Sequence, residues 1–399
     1  MKEASSKGLF FIFITVVIDS IGLGIIIPVM PKLIQELIGG DLSQASQYGG
    51  WLVFVYALAQ FFFASVLGNL SDKYGRRPVL LFGFCINYIL TGLAPSILWL
   101  FIGRLVAGVT GASHTVAAAY IADISTPQKK AQNFGLLGAA FGLGFILGPV
   151  LGGVLGQYGS RVPFFAAAIL CLVNVIYGYF VIPESLKPEL RRPFSWKTAN
   201  PIGAFIHIKS YPHILPLFLS IFLINIAANS VQSTWSYFTM EKFEWDEKMV
   251  GLSLGFVGTL LMIVQAGLIR IAIPKLGLKN AIILGLVLYV CAYTLFGFAN
   301  QSWMMYAISI LFVSAGLAGP ALQSYISDHI PPNEQGQIQG GITSVISLTS
   351  IIGPLLMTTL FSYFSRKEVH PYFPGAPFIL SAVLAAAALI ITGLYFRKK

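Results

Sequence analysis

The chain has 399 residues, of which 56% are apolar and only 10% charged, and its mean hydropathy is +0.79. So few charges cannot coat a water-exposed surface, because ordinary soluble domains are about one-quarter charged. The net charge of +10 comes from short basic clusters between apolar runs, which fits membrane topology better than a nucleic-acid-binding face.

The first run, MKEASSKGLFFIFITVV, has the charged start and apolar core of a signal peptide. No small-residue cleavage pattern follows, and the run continues through Ile25, Ile26 and Ile27, so it is expected to stay as a first span. A helix needs about 20 apolar residues to cross roughly 30 Å of hydrocarbon. By that measure twelve spans are predicted, at about 9–30, 48–69, 78–98, 99–122, 133–157, 163–184, 212–238, 249–269, 280–299, 303–326, 336–363 and 373–396. With both termini inside, 18 of the 25 lysines and arginines fall on the cytoplasmic side, a bias that sets the expected orientation. Cys85, Cys171 and Cys291 lie within apolar runs and have neither metal nor redox spacing, so they read as small buried hydrophobes.

The longest polar interruption, rich in proline and basic residues, lies near the middle of the chain. It divides a six-helix half at 1–185 from a second at 212–399, with a cytoplasmic linker at 186–211. An internal repeat supports the division. YIADISTPQKKAQNFG from Tyr120 and YISDHIPPNEQGQIQG from Tyr325 match at an offset of 205 residues, which also carries Gly148-Pro149 onto Gly353-Pro354. A fainter echo pairs SDKYGRRPVLLFG with IPKLGLKNAIILG and aligns Gly75 with Gly277. Two parallel six-helix repeats predict an all-α membrane protein of the major facilitator fold, with its substrate site near the midplane.

Between the second and third spans stands GNLSDKYGRRPVLL, with a tight turn at Gly75 and a basic cluster in which Asp72 can pair with an arginine. The stretch resembles the cytoplasmic signature of the major facilitator superfamily, and the resemblance implies a gating role for Asp72, Arg76 and Arg77. RLVAGVTGA, GFILGPVLGG and IDSIGLGIIIPVMP resemble the drug/proton antiporter branch. The glycines around Gly148 allow close helix approach, while Pro149 removes a backbone donor so that the helix can bend, which adds both residues to the gating set. With FTMEKFEWDEKMVG and GPALQ, the resemblance narrows to tetracycline/H+ antiporters and covers nearly the whole chain. Two acids of those antiporters are replaced, by Asn87 in the third span and by Tyr289 in the ninth.

Among 15 acids, Asp19 alone lies deep in a span, some ten residues or roughly 15 Å from its start. A charge there costs at least about 2.5 kcal/mol, so Asp19 should face the bundle interior and is a functional candidate. In the resembled antiporters an acid at this position belongs to the transport site, which implies a proton-coupling role for Asp19, the alternative being a structural, hydrogen-bonded carboxyl. Arg104 either snorkels to the outer interface or faces inward and tunes Asp19. His114 either titrates near neutral pH as part of the proton path or sits buried and neutral. In the seventh span Asn225, Asn229, Gln232, Ser233 and Trp235 form a polar stretch. Amides are costly against lipid, so that face looks into a cavity or onto a neighbouring helix. Tyr56, Gln60 and Gln323 complete the candidate substrate-binding set.

The expected function is proton-coupled export of a small amphiphilic or drug-like compound by alternating access. A monomer in the inner (plasma) membrane is expected, with both termini cytoplasmic and with the substrate, protons and lipid as its partners. No nucleic acid, metal or cofactor is expected, the proton gradient supplying the energy. An uptake carrier or facilitator and a non-transporting receptor remain open at this stage. An enzyme is disfavoured by the lack of H-E-x-x-H, G-x-S-x-G and P-loop patterns.

Overall fold

The computed structural model describes residues 2–81, 86–111, 113–125, 129–194, 212, 214–331 and 335–397, which form helices and turns and no strand. The first half of the chain forms α1 (Lys2–Ile26), α2 (Met30–Ile38), α3 (Leu42–Tyr74), α4 (Arg76–Leu81), α5 (Ile86–Gly92), α6 (Ile97–Thr110), α7 (Ser113–Ile124), α8 (Lys130–Gly156) and α9 (Val162–Val181). The second half forms α10 (Leu215–Phe243), α11 (Glu247–Ile263), α12 (Ile269–Phe298), α13 (Ser302–Ser314), α14 (Ala318–Ser327), α15 (Gln335–Phe364) and α16 (Ala376–Arg397).

Ten of the described helical runs are long and apolar enough to cross a membrane. They accommodate eleven of the twelve expected spans. The run Glu247–Phe298 is 52 residues long and covers two spans, interrupted where Gly277 leaves helical geometry at φ 75° and ψ 160°. The third span falls on α4 and α5, which flank residues 82–85, outside the described set together with Cys85. A short π turn, Val264–Leu268, joins α11 to α12. A 3-10 turn, Ala315–Leu317, joins α13 to α14.

The helices group into two compact units. One comprises residues 1–39, 55–201 and 247–255; the other comprises 40–54, 202–246 and 256–399. The grouping thus differs from a simple cut at the linker: the start of α3 belongs to the second unit and the start of α11 to the first.

In the first unit the closest helix pairing is α1 on α8, and glycine spacing explains it. A methyl group on Gly144 would lie 2.7 Å from the Val17 carbonyl oxygen, one on Gly148 2.7 Å from that of Ile21, and one on Gly152 would overlap that of Ile25. Glycines four residues apart on one helix therefore meet carbonyls four residues apart on the other, the small-residue contact that dispersion and close packing favour in lipid. Pro149 sits at the same seam, where a methyl group on Gly24 would lie 2.7 Å from its ring, and its carbonyl oxygen abuts Gly251 at the start of α11. Thr15 and Asn174 bond each other between α1 and α9, burying two polar groups as a satisfied pair.

In the second unit, Ser220 of α10 bonds Thr392 of α16 at 2.9 Å, and Ser381 of α16 reaches the Ala227 carbonyl of α10 at 2.9 Å. Trp235, Phe296, Phe238 and Phe378 form an aromatic core, with Trp235 edge-on to Phe296 at 5.4 Å between ring centroids.

Gly75 and Gly277, aligned by the internal repeat, both have left-handed backbone, with φ 103° and 75°. The tight turn read from the first motif is thus present in both repeats. The two sites differ in what a side chain would meet: nothing lies near Gly277, whereas a methyl group on Gly75 would overlap the Glu184 carboxylate. Gly277→Ala should cost about 1–3 kcal/mol from backbone strain alone, and Gly75→Ala should cost more. Thermal unfolding of both variants in detergent measures the difference, and equal losses would mean that Glu184 moves aside freely.

Candidate functional site

At one end of the first unit, Arg76 gathers the basic loop into a network. Its guanidinium pairs with Asp72 one turn back on α3, donates to Ser71 Oγ at 2.6 Å and donates through Nε to Asp123 Oδ2 on α7 at 3.2 Å. Ser185 donates to the same Asp123 oxygen at 3.0 Å. The Glu184 carboxylate accepts the backbone N–H groups of Arg76 and Arg77 at 2.8 and 3.2 Å. Glu184 therefore satisfies the first two orphan donors of α4, where a negative charge also complements the helix dipole. Arg77 points elsewhere: it donates to the Tyr179 carbonyl and its guanidinium lies over the Tyr179 ring at 5.5 Å. Sequence reading marked Asp72, Arg76 and Arg77 but not Asp123 or Glu184. The repeat itself held the missed signal for Asp123, since it pairs that residue with Asp328.

Deeper in the same unit lies a cavity of about 20 Å³ lined by Asp19 and Leu23 of α1, Tyr56 of α3, Asn87 and Tyr88 of α5, and Ala107 and Thr110 of α6 with the adjoining Gly111. Gln60, one turn after Tyr56, donates to the Tyr56 hydroxyl and to the Gly111 carbonyl, both at 3.2 Å, and so fixes the phenol at the cavity wall. Arg104 lies near enough to Tyr56 and Tyr88 to act on both by charge, as Asp19 does. Gly22 makes room for the Tyr88 hydroxyl, which a methyl group at that position would overlap. Asp19, Tyr56, Gln60 and Arg104 are thus brought together. Tyr88 and Thr110 were missed because an aromatic and a threonine inside an apolar run carry no distinguishing pattern. His114 lies in the first turn of α7, but its side chain lies outside the described residues.

The second unit has a larger cavity of about 190 Å³, lined by Ile221, Ile224 and Asn225 of α10, Gly319, Pro320, Leu322 and Gln323 of α14, and Ile346 of α15. It joins Asn225 to Gln323. Asn225 spends its amide donor on the Ile221 carbonyl at 2.8 Å. Asn229 is buried and faces α15, donating to the Asn225 and Thr349 carbonyls at 2.8 and 3.3 Å, with Gly353 closely against its side chain. Ser233 donates back to the Asn229 carbonyl, Trp235 is in the aromatic core, and Gln232 is exposed. Tyr289, at the position read as a replaced acid, stacks on Tyr293 with centroids 5.7 Å apart and meets Phe312 edge-on.

This arrangement of repeated helical halves, a charged loop network and separate polar cavities agrees with the comparisons. The sequence model of the Major Facilitator Superfamily matches residues 12–345 and 271–399. The chain belongs to this superfamily. It is 40% identical over 361 residues to the class C tetracycline resistance protein of Escherichia coli, covering 90% of each chain. It is 33% identical over 401 residues to the class H tetracycline resistance protein of Pasteurella multocida, covering 99% of this chain and 97% of that one. The crystal structure of the human organic anion transporter MFSD10 (TETRAN) shares the fold at 20% identity, with a TM-score of 0.71 over 97% of this chain and 99% of that one. The protein is a multi-pass membrane transporter of a small molecule and not an enzyme.

Glu184→Gln keeps the shape of the cap but removes its charge from two backbone donors. A loss of roughly 1.5–3 kcal/mol in unfolding free energy is expected, the range for hydrogen bonds to a charged group. Denaturant unfolding in detergent tests this, and an unchanged midpoint would show that a neutral cap suffices.

Proposed function

We propose that the protein is a proton-coupled antiporter that exports a small amphiphilic, drug-like compound across the inner membrane by alternating access, with both termini cytoplasmic. The observation that carries this reading is the placement of Asp19, which lines a cavity with Asn87 and two phenols and shares its electrostatic influence on them with Arg104. A carboxylate kept at this depth has a cost that neutral residues would avoid, and a cycle of protonation gives it a use. The similarity to tetracycline resistance proteins supports the outward direction and the drug-like cargo. Tetracycline is the first compound to test, and the amide at position 87 and the phenol at 289 argue for a cargo range of its own.

Solute contact is assigned to the second unit's cavity. Its walls are apolar apart from the amides of Asn225 and Gln323, so it suits a compound with apolar rings and neutral hydrogen-bonding groups. The loop network of Asp72, Arg76 and Asp123 is assigned to gating, because its bonds tie α3, α4 and α7 together at a span end rather than at a cavity.

Two experiments follow in proteoliposomes with an imposed pH gradient. Asp19→Asn should fold and bind tetracycline yet accumulate none above protein-free vesicles, and full uphill transport by this variant would sink the coupling assignment. Gln323→Leu should weaken binding of a transported polar compound by about five- to thirtyfold, the effect of about 1–2 kcal/mol for one buried hydrogen-bond partner. Unchanged affinity would remove Gln323 from the solute site.

A further inference from the structure

Within the Asp19 cavity one atom is unaccounted for by the proton-site reading. The side-chain oxygen of Asn87 is buried and has no hydrogen-bond partner among the described residues, although the residue lines the cavity that Asp19 also lines. A buried amide oxygen left unpaired costs free energy comparable to a lost hydrogen bond, and polar cavities meet that cost with water. The volume of about 20 Å³ exceeds the 10–15 Å³ or so that a single water needs. The walls also supply enough polar partners: the Asp19 carboxylate, Asn87 Oδ1, and the hydroxyls of Tyr56, Tyr88 and Thr110.

The neighbours restrict how such a water can be oriented. Thr110 donates its hydroxyl proton to the Val106 carbonyl at 2.9 Å, so toward the cavity it offers only lone pairs. The Tyr56 oxygen already accepts from Gln60, which leaves its own proton free to be donated. Asn87 Oδ1 is acceptor-only and the Asp19 carboxylate is acceptor-only when charged. A water there has two protons and two acceptors facing it, with a phenol to donate into its lone pairs.

We propose that Asn87 is a positioning residue that holds one ordered water against Asp19, and that this water is the contact through which Asp19 takes up and releases its proton. With Asp19 charged, the water donates one hydrogen to the carboxylate and the other to Asn87 Oδ1. With Asp19 protonated, the carboxyl O–H donates to the water oxygen, and the bond to Asn87 is retained. The amide thus keeps the water in place in both states without holding charge itself. Among the described residues, the charged and titratable groups linked to Asp19 at this site are Tyr56 on α3, Tyr88 on α5, Arg104 on α6 and, through Tyr88, Cys171 on α9. The proposal rests on Asp19 as the coupling carboxylate, but the water site can be tested separately.

The test compares wild type, Asn87→Leu, Asn87→Ser and Asp19→Asn as full-length protein in nanodiscs. Leucine has similar size and no acceptor; serine restores an acceptor and serves as the rescue. Cryo-electron microscopy maps that resolve ordered water should show density bridging residues 87 and 19 in wild type and in Asn87→Ser, and none in Asn87→Leu. Proton uptake after a pH jump, followed with an indicator dye in the absence of any substrate, should slow by about tenfold or more in Asn87→Leu and recover in Asn87→Ser. A well-resolved wild-type map without the water overturns the proposal, as does wild-type uptake by Asn87→Leu. If the water is present but Asp19→Asn takes up as many protons as wild type, the water site stands and the coupling role of Asp19 falls.

Discussion

Hydrocarbon offers no hydrogen-bond partner, and this one constraint shapes most of what the chain does. Every described spanning segment is helical, and a helix satisfies its own backbone in lipid. The hydroxyl side chains inside the spans follow the same rule by folding back one turn: Thr110 onto Val106, Ser220 onto Pro216, Thr239 onto Trp235 and Thr358 onto Pro354. Once these groups are satisfied locally, the polar side chains that reach beyond their own helix stand out. They either clamp two helices, as Thr15 does with Asn174, or line a cavity, as Asp19 and Asn87 do.

The same constraint explains why glycine marks equivalent places in the two repeats. Without a hydrophobic drive between helices in lipid, association depends on close approach, and a missing side chain permits it. Gly148 brings α8 against the backbone of α1, and its repeat partner Gly353 brings α15 against Asn229 of α10. Gly75 and Gly277 perform the same turn in the two halves. What the repeats do not share is the charge at Arg76. The positions equivalent to Arg76 and Arg77 are Leu278 and Lys279, so the guanidinium that ties Asp72 to Asp123 in the first half is an aliphatic side chain in the second.

These comparisons show which parts of the structure could be read from sequence. Span positions were legible because they depend on apolar length, a local property. The two glycine turns were legible because left-handed backbone demands a residue type. Asp19 was legible because a carboxylate deep in a span is rare enough to need a reason. Partners across helices were not, since they depend on rotation about helix axes that spacing fixes only roughly. The amides of α10 show this: Asn225, Asn229 and Gln232 were read as one polar stretch with a common face, yet Asn225 lines a cavity, Asn229 is buried against α15 and Gln232 is exposed. Glu184 was invisible as a helix cap because the helix that it caps follows Gly75, more than a hundred residues earlier.

The contents of the two cavities divide the work. The first unit's cavity is water-sized and has a carboxylate with a guanidinium nearby; the second is several times larger and its polar groups are neutral amides. A buried charge is best served by a small, well-hydrated space in which its partners are fixed, because each Å of displacement in a low-dielectric surrounding changes its energy strongly. An amphiphilic solute needs the reverse: apolar area to cover its rings and a few neutral partners whose misalignment costs little. On the proposed reading, proton handling therefore falls to one repeat and solute contact to the other. The replacement of two acids by Asn87 and Tyr289 is consistent with that division, since it leaves the first cavity a single carboxylate and puts a stacked aromatic ring at the corresponding place in the second unit.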